Sequence, residues 1–398
     1  MNDFKSLAAG VLSIGLLLSA CSEKQGERDY GPAVRMHMTD SLRLSDYFTE
    51  IRYLHFDDNP EAVFGEVNKL MLVKDRIFIL DGILKSVICF DTTGRFLYRI
   101  QRVGKGPGEY AGLNAMWVDE NTRQLWVHCR IPDKTILFSW NGDYIREIPG
   151  DRGAEDRLSL DDGSFFSYAI YKHGFGRDTV AAGIYQSDPS GRFRRNLVNL
   201  GMASAYWTVF YKTRFAETRD SIYLLSQSDS ILRFDRQGRH QVDVRIDWGE
   251  YRMPDDLRTI GINSPKIREL ENHDAIFWKD RLLVTGPLRW FVCGKRNQFY
   301  FGLIDKRSMT GMFTQQIYNE LGSLPVTFPE GQGDNGELLG LLQMDMIWVM
   351  AESLEAGGIP AGREQEYHAF KAFLQRSIEA DRPVLIRMRL KREFVNPN

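Results

Sequence analysis

The sequence predicts an all-β chain, a six-bladed β-propeller of four-stranded antiparallel blades, and three observations predict it. Short β-prone runs recur between polar turns, turn glycines follow those runs at matching distances, and a strand-like segment stands alone near each end. With 35 glycines and 12% aromatic residues the composition suits strands and tight turns and excludes disorder. A length of 398 residues would suggest two or three domains at about 150 residues each, a prior that repeat folds override.

The elements follow in order. Lys5 precedes an apolar run from Leu7 to Leu18, which ends in Leu18-Ser19-Ala20-Cys21, the layout of a secretory signal. The run is shorter than the roughly 20 residues that cross a bilayer. It resembles a bacterial lipobox, which implies cleavage after residue 20 and lipidation of Cys21. Ser22 in place of an aspartate implies the outer membrane, with the body facing the periplasm or the cell surface. Residues 21–44 are polar and read as a lipidated tether, and residues 45–398 as the propeller.

Within that span, Ile51–Phe56 reads as a strand with no hairpin partner of its own. The first repeat sets Lys74-Asp75-Arg76 before Ile77-Phe78-Ile79-Leu80, then Ile88 to Leu97 around a turn at Gly94. Corresponding runs start at Leu125, Phe165, Ile222, Leu282 and Ile347. Gly142 lies as far beyond Leu125 as Gly94 does beyond Ile77, and Gly238 follows Ile222 one residue sooner. Hairpins of this kind favour antiparallel meanders, and six of them favour radial blades with short edges. Val384–Leu390 is expected to meet Ile51–Phe56 in the sixth blade and close the ring. One late helix is expected between Gly362 and Ile378, where Tyr367, Phe370, Phe373, Leu374 and Ile378 recur on one face.

The segment Val103-Gly104-Lys105-Gly106-Pro107-Gly108-Glu109-Tyr110 resembles the signature of the six-bladed β-propeller lipoproteins of Bacteroidetes, which are similar to the NHL-repeat class. Tyr53, the Phe-Asp turns at Phe90 and Phe234, and the strand at Pro383-Val384 extend the likeness over nearly all of the chain after the signal. The resemblance implies the fold and an envelope address and no settled activity. A phosphate-loop reading of the same glycines fails, because no Gly-Lys-Ser/Thr follows and the next run, Ala115–Val118, is strand-like. A connector between blades is expected there.

Charge and motifs narrow the function. The balance of 51 Lys+Arg against 53 Asp+Glu offers no basic field, so nucleic acid is not an expected partner. Cys89, Cys129 and Cys293 each sit in an apolar run and are expected as buried free thiols. The seven histidines show no His-x-x-x-His spacing, and no Gly-x-Ser-x-Gly elbow is present. Residues just before each repeat's first run should line the central channel. Asn68 and Asn114 fall at matching places, Thr213 follows in the fourth copy, and aligning Lys279-Asp280-Arg281 on Lys74-Asp75-Arg76 adds His273. Such a polar ring could bind a ligand, or Ca²⁺ with Glu66 or Asp274 supplying charge, or could hold water and cap strand ends. Tyr206, Trp207, Trp290 and Phe291 are candidate platforms for a glycan. The expected function is a binding or scaffolding lipoprotein for a protein, peptide or glycan, with no cofactor. The alternative is a metal-dependent hydrolase or lyase acting on an extracellular sugar or lactone.

Overall fold

The computed structural model describes residues 31–395 except 121, 151–153, 170–171, 176–177, 201–214, 227, 256, 258–271, 297, 320, 322–325, 334–335 and 358–363. Six four-stranded antiparallel modules follow one another. Module one comprises Val67–Val73, Arg76–Asp81, Ser86–Asp91 and Phe96–Ile100, and module two Gly112–Asp119, Gln124–Ile131, Asp133–Ser139 and Tyr144–Pro149. Module three runs through Ala154–Ser159, Phe165–Ala169, Gly183–Ser187 and Phe193–Asn199. Module four runs through Phe215–Glu217, Ser221–Ser226, Ser230–Asp235 and His240–Asp247, and module five through Trp278–Thr285, Leu288–Lys295, Gln298–Asp305 and Thr310–Thr314. Module six takes Gly331–Gly333, Glu337–Leu342 and Val384–Leu390, and receives Phe48–His55 as its fourth strand.

The repeated turn has a local cause. Asp91 Oδ1 accepts the amides of Thr93 at 2.8 Å and Arg95 at 3.1 Å, while Gly94 takes a φ of +85°. Asp188 before Gly191 and Asp235 before Gly238 repeat the arrangement, and Ser139 Oγ serves in the same way before Gly142. An aspartate that holds its own following amides, with glycine in the left-handed position, ends one strand and starts the next. In module five Met309 takes that conformation instead, at φ +54°, and the glycine signal disappears.

Apolar side chains on both faces of the modules then pack against their neighbours. Phe78, Leu80 and Cys89 of module one meet Met116, Val127 and Phe138 of module two. Modules two, three and four share a cluster around Trp117, Leu158, Phe165 and Phe234, and modules four and five another around Tyr223, Val244 and Phe291. Trp290 and Leu303 of module five join Phe48, Leu338 and Val384 of module six, and Leu339 and Leu341 of module six join Leu72 and Ile79 of module one. The sixth module is therefore packed against the first. Terminal strands complete it, with Ile51 opposite Met388 and Tyr53 opposite Ile386.

Four expectations change. Residues 33–44 do not continue the tether: Ala33–Met38 is a strand wedged in parallel between Ala33↔Arg245 of module four and Met36↔Gly311 of module five. Val34 and Met36 are buried, so the alternation that reads as polar hides an inward apolar face. Ile347 begins no strand; it is buried in a helix, Met344–Gly357, which packs with Glu364–Ala380 as a hairpin inserted in module six. The late helix is thus two helices, followed by a short one at Arg392–Val395. Leu282 lies in the first strand of module five, not the second, so Lys279-Asp280-Arg281 sits within a strand whereas Lys74-Asp75 forms a turn.

The signature segment is a connector. Glu109 Oε2 accepts the Gly106 amide at 2.8 Å and fills the space beside Gly104, where a Cβ would lie 2.0 Å away. Glu147 Oε2 accepts the Gly108 amide at 2.8 Å and pairs with Lys134 Nζ at 2.7 Å. Tyr110, fully buried, donates its hydroxyl to the carbonyls of Lys85 and Ile100. Cys89, Cys129 and Cys293 are free and buried, and burial pushes the first two thiols up to about 12.

Candidate functional site

One cavity of about 1580 Å³ is lined by residues from the first strand of every module. Lining residues include Asn68 and Met71 from module one, Trp117 and Asp119 from module two, Ser159 from module three, Glu217 from module four, Val284 from module five and Gln332 from module six. At the C-terminal ends of these strands the wall carries Lys74, Glu120, Asp161 and Asp220. Leu390, Phe394 and Val395 also reach it. Arg307 holds that last segment by donating to the Glu393 carbonyl at 3.1 Å, with its guanidinium 4.1 Å from the centre of the Phe394 ring.

The polar wall is braced from within. Gln332 Oε1 accepts the Val284 amide at 3.0 Å and its Nε2 donates to the Glu217 carbonyl, so one carboxamide ties modules four, five and six. Arg236 donates to the Thr218 carbonyl at 2.8 Å and pairs with Glu217 at 3.5 Å. Glu330 stands 3.7 Å from Arg281; burial raises its carboxyl above the usual carboxylate range, and the guanidinium opposes that rise only in part.

The sequence-matched residues fare differently. Asn68 and Asn114 are each the extra residue of a β-bulge: pairing jumps from Val67↔Asp81 to Lys69↔Leu80, and from Leu113↔Cys129 to Ala115↔His128. Glu155 holds the same place in module three. Asn68 lines the cavity and occupies the space beside Gly82, where a Cβ would lie 2.3 Å from its Oδ1. Asn114 and His273 are not among the residues that line it, and Thr213 lies outside the described residues. His273 is misplaced because the fifth repeat was aligned one strand out of step; the Asp274 carboxylate beside it is held by Lys295 at 2.7 Å and Arg296 at 3.2 Å. Glu66 does line the cavity. Among the described residues no three His, Cys, Asp or Glu side chains converge as metal ligands.

Of the aromatic candidates, Trp290 and Phe291 are core residues, and Tyr206 and Trp207 lie outside the described residues. Sequence reasoning missed a different pair. Trp117 and Trp126 face each other across a hairpin, with ring centroids 5.6 Å apart and planes 19° from parallel, and both line the cavity. Their positions on either side of the polar run 120–123 in the sequence were the available signal.

A family model described as a domain of unknown function, DUF4934, matches residues 33–389. The chain belongs to the DUF4934 family. The DUF4934 match opens on the first residue of the wedged strand and ends within Val384–Leu390, just before the short helix Arg392–Val395. No curated protein matches the chain. Among solved structures, a "putative exported protein" from Bacteroides fragilis NCTC 9343 shares the fold at 18% identity and a TM-score of 0.71, covering 90% of this chain and 99% of its own. A member of the DUF4221 family from Bacteroides vulgatus aligns over 86% of this chain and 97% of its own, at 10% identity and a TM-score of 0.46. The nidogen/laminin complex aligns over 62% and 79%, at 12% identity and a TM-score of 0.38. No helix among the described residues is long and apolar enough to cross a membrane.

Proposed function

We propose that this DUF4934 chain is a six-bladed propeller lipoprotein that binds a protein, peptide or glycan ligand in its central cavity. The cavity carries the proposal: about 1580 Å³ is ample for a ligand of drug size or larger, and its wall mixes charged, amide and aromatic groups from six strands. In this reading the modules are the blades, and residues 48–55 close the ring as the outer strand of the sixth. The packing of module six on module one supports closure.

The address belongs to the same proposal. Residues 1–20 act as the signal, Cys21 carries the lipid, and the tether runs only to about residue 32, since Ala33 already enters a strand. Two or more acyl chains would hold the body at the outer membrane. Metabolic labelling with a fatty-acid probe tests the anchor: wild type should be labelled and sediment with membranes, and Cys21→Ala should do neither. Glycan and peptide arrays probed with the intact chain test the binding reading, which fails if no array ligand is retained.

A further inference from the structure

We propose that Arg281 and Glu330, on the cavity wall where modules five and six meet, form a carboxylate-binding site in which an acidic group of the ligand replaces Glu330 on the guanidinium. This rests on the binding reading above and assigns a ligand chemistry to one part of the cavity.

A bulge presents the arginine. In the first strand of module five, pairing runs from Asp280↔Val292 to Leu283↔Trp290, so two residues, Arg281 and Leu282, stand against Phe291 alone. Arg281 takes a left-handed φ of +52°, a conformation unfavourable to a residue with a side chain. Its neighbours Asp280 and Leu282 are each 7% exposed, whereas the Arg281 side chain is 51% exposed and lines the cavity. The bulge thus turns one cation out of a buried run, as bulges beside functional sites re-aim a side chain.

Glu330 meets it from module six. It stands directly before the first strand there, Gly331–Gly333, and its amide donates to the Leu339 carbonyl at 2.7 Å. A Cβ on Gly331 would lie 2.1 Å from the Leu70 carbonyl, so the backbone beside Glu330 is seated against module one. The Glu330 side chain lines the same cavity, is 18% exposed, and lies 3.7 Å from Arg281. That separation is too long for a hydrogen bond, and neither side chain has another hydrogen-bond or ion-pair partner among the described residues. Nearby pairs are closed by comparison. Arg236, 3.5 Å from Glu217, already donates to the Thr218 carbonyl at 2.8 Å, and Lys279 reaches Asp229 at 2.6 Å in a buried setting.

A guanidinium left open in this way suits a planar carboxylate, which it meets with two parallel N–H donors. Glu330 is the internal stand-in for that group, too far off to complete the fork. It is also a weak competitor, because burial holds its carboxyl above the usual carboxylate range and makes the negative charge costly to keep. A ligand carboxylate entering through the cavity can approach the exposed guanidinium to bonding distance, which the fixed backbone denies to Glu330. Phosphate shares the charge and makes the competing arm of the test.

Calorimetric titration of the full chain with succinate, its uncharged diamide and inorganic phosphate decides. Succinate should bind about tenfold or more tightly than the diamide, the scale of one charge-assisted pair. Arg281→Ala should remove that preference. Arg281→Lys, which keeps the charge and loses the fork, should weaken succinate several-fold, and it decides alone if the alanine protein shows no cooperative thermal transition. Glu330→Gln deletes the competing carboxylate and should tighten succinate several-fold, where a mere brace between modules would shift the thermal midpoint and leave succinate affinity as it was. Equal binding of succinate and the diamide, tighter binding of phosphate, an Arg281→Lys protein that binds succinate like wild type, or a Glu330→Gln protein that binds it no tighter would each overturn the assignment. If succinate gives no heat while an array ligand is still retained, the carboxylate site falls and the wider binding reading stands.

Discussion

Two junctions between consecutive modules are held together in different ways. Between modules one and two a short loop does the work: Glu109 and Glu147 accept loop amides, Lys134 pairs with Glu147, and Tyr110 is buried. Between modules four and five a strand from far upstream, Ala33–Met38, is inserted, and charges are buried beside it. Asp243 there receives Arg289 at 2.8 Å and Lys306 at 2.5 Å, with the guanidinium also 4.9 Å from the Tyr223 ring. Asp229 receives Lys279 at 2.6 Å and the Trp248 indole at 2.8 Å. At the first junction, where a short loop links the modules, local hydrogen bonds suffice. At the second, where the link between consecutive modules is longer, the inserted strand adds long-range pairing, and the desolvated charges need all their partners present.

Four experiments would break or sharpen that contrast. Arg289→Ala leaves Asp243 buried and short of a partner, and should cost about 3–5 kcal/mol in urea unfolding. A loss below about 1 kcal/mol would make the cluster incidental. Val34→Ala removes two buried methyl groups from the wedge and should cost about 1–2 kcal/mol by the same assay, where an unchanged midpoint would mean the strand is merely laid on the surface. Tyr110→Phe deletes the hydroxyl that donates at the first junction and should cost about 1 kcal/mol. The smallest effect is expected from Glu147→Gln, a few tenths to about 1 kcal/mol, because that carboxylate is partly exposed.

Acid should separate the junctions as well. Burial alone would raise the Asp243 carboxyl, but Arg289 and Lys306 outweigh it and hold the group below its usual range. A folded-state value below the unfolded one gives stability that is full above the unfolded value of about 4 and is lost as pH falls through the folded value. Wild type should therefore lose stability below about pH 4 more steeply than Asp243→Asn. Parallel acid limbs for the two proteins would show that the cluster does not set the acid response.

Much of the fold was legible in the sequence, for reasons that differ along the chain. Gly94, Gly142 and Gly238 were readable because a left-handed turn position needs glycine, and a preceding Asp or Ser marks it. Phe48–His55 was found, apart from its exact limits, as a strand with no local partner. Met309 shows where this reading fails, since a non-glycine residue in the left-handed position erases the turn signal and lets the fifth repeat slip by one strand. That slip is what placed His273 with Asn68. Ile347, Met350, Ala351 and Leu354 recur at helical spacing, yet the expectation of a further repeat overrode it.

The candidate site was less legible. Asn68 and Asn114 matched in sequence because both are bulge residues, and a bulge fixes backbone register without deciding which side chain faces the cavity. The tie that Gln332 makes between Val284 and Glu217 could not have been found by any spacing, since the three residues come from different modules.

The sequence by itself determined strand lengths, turn positions, the connector after module one and the burial of three thiols, because each follows from residues near one another in the chain. Only the tertiary structure decided that Ala33–Met38 separates modules four and five, that Asp243 is buried between two cations, and that Gln332 ties modules four, five and six. Those facts depend on which strands become neighbours, a choice made by summed packing between modules that no local pattern records.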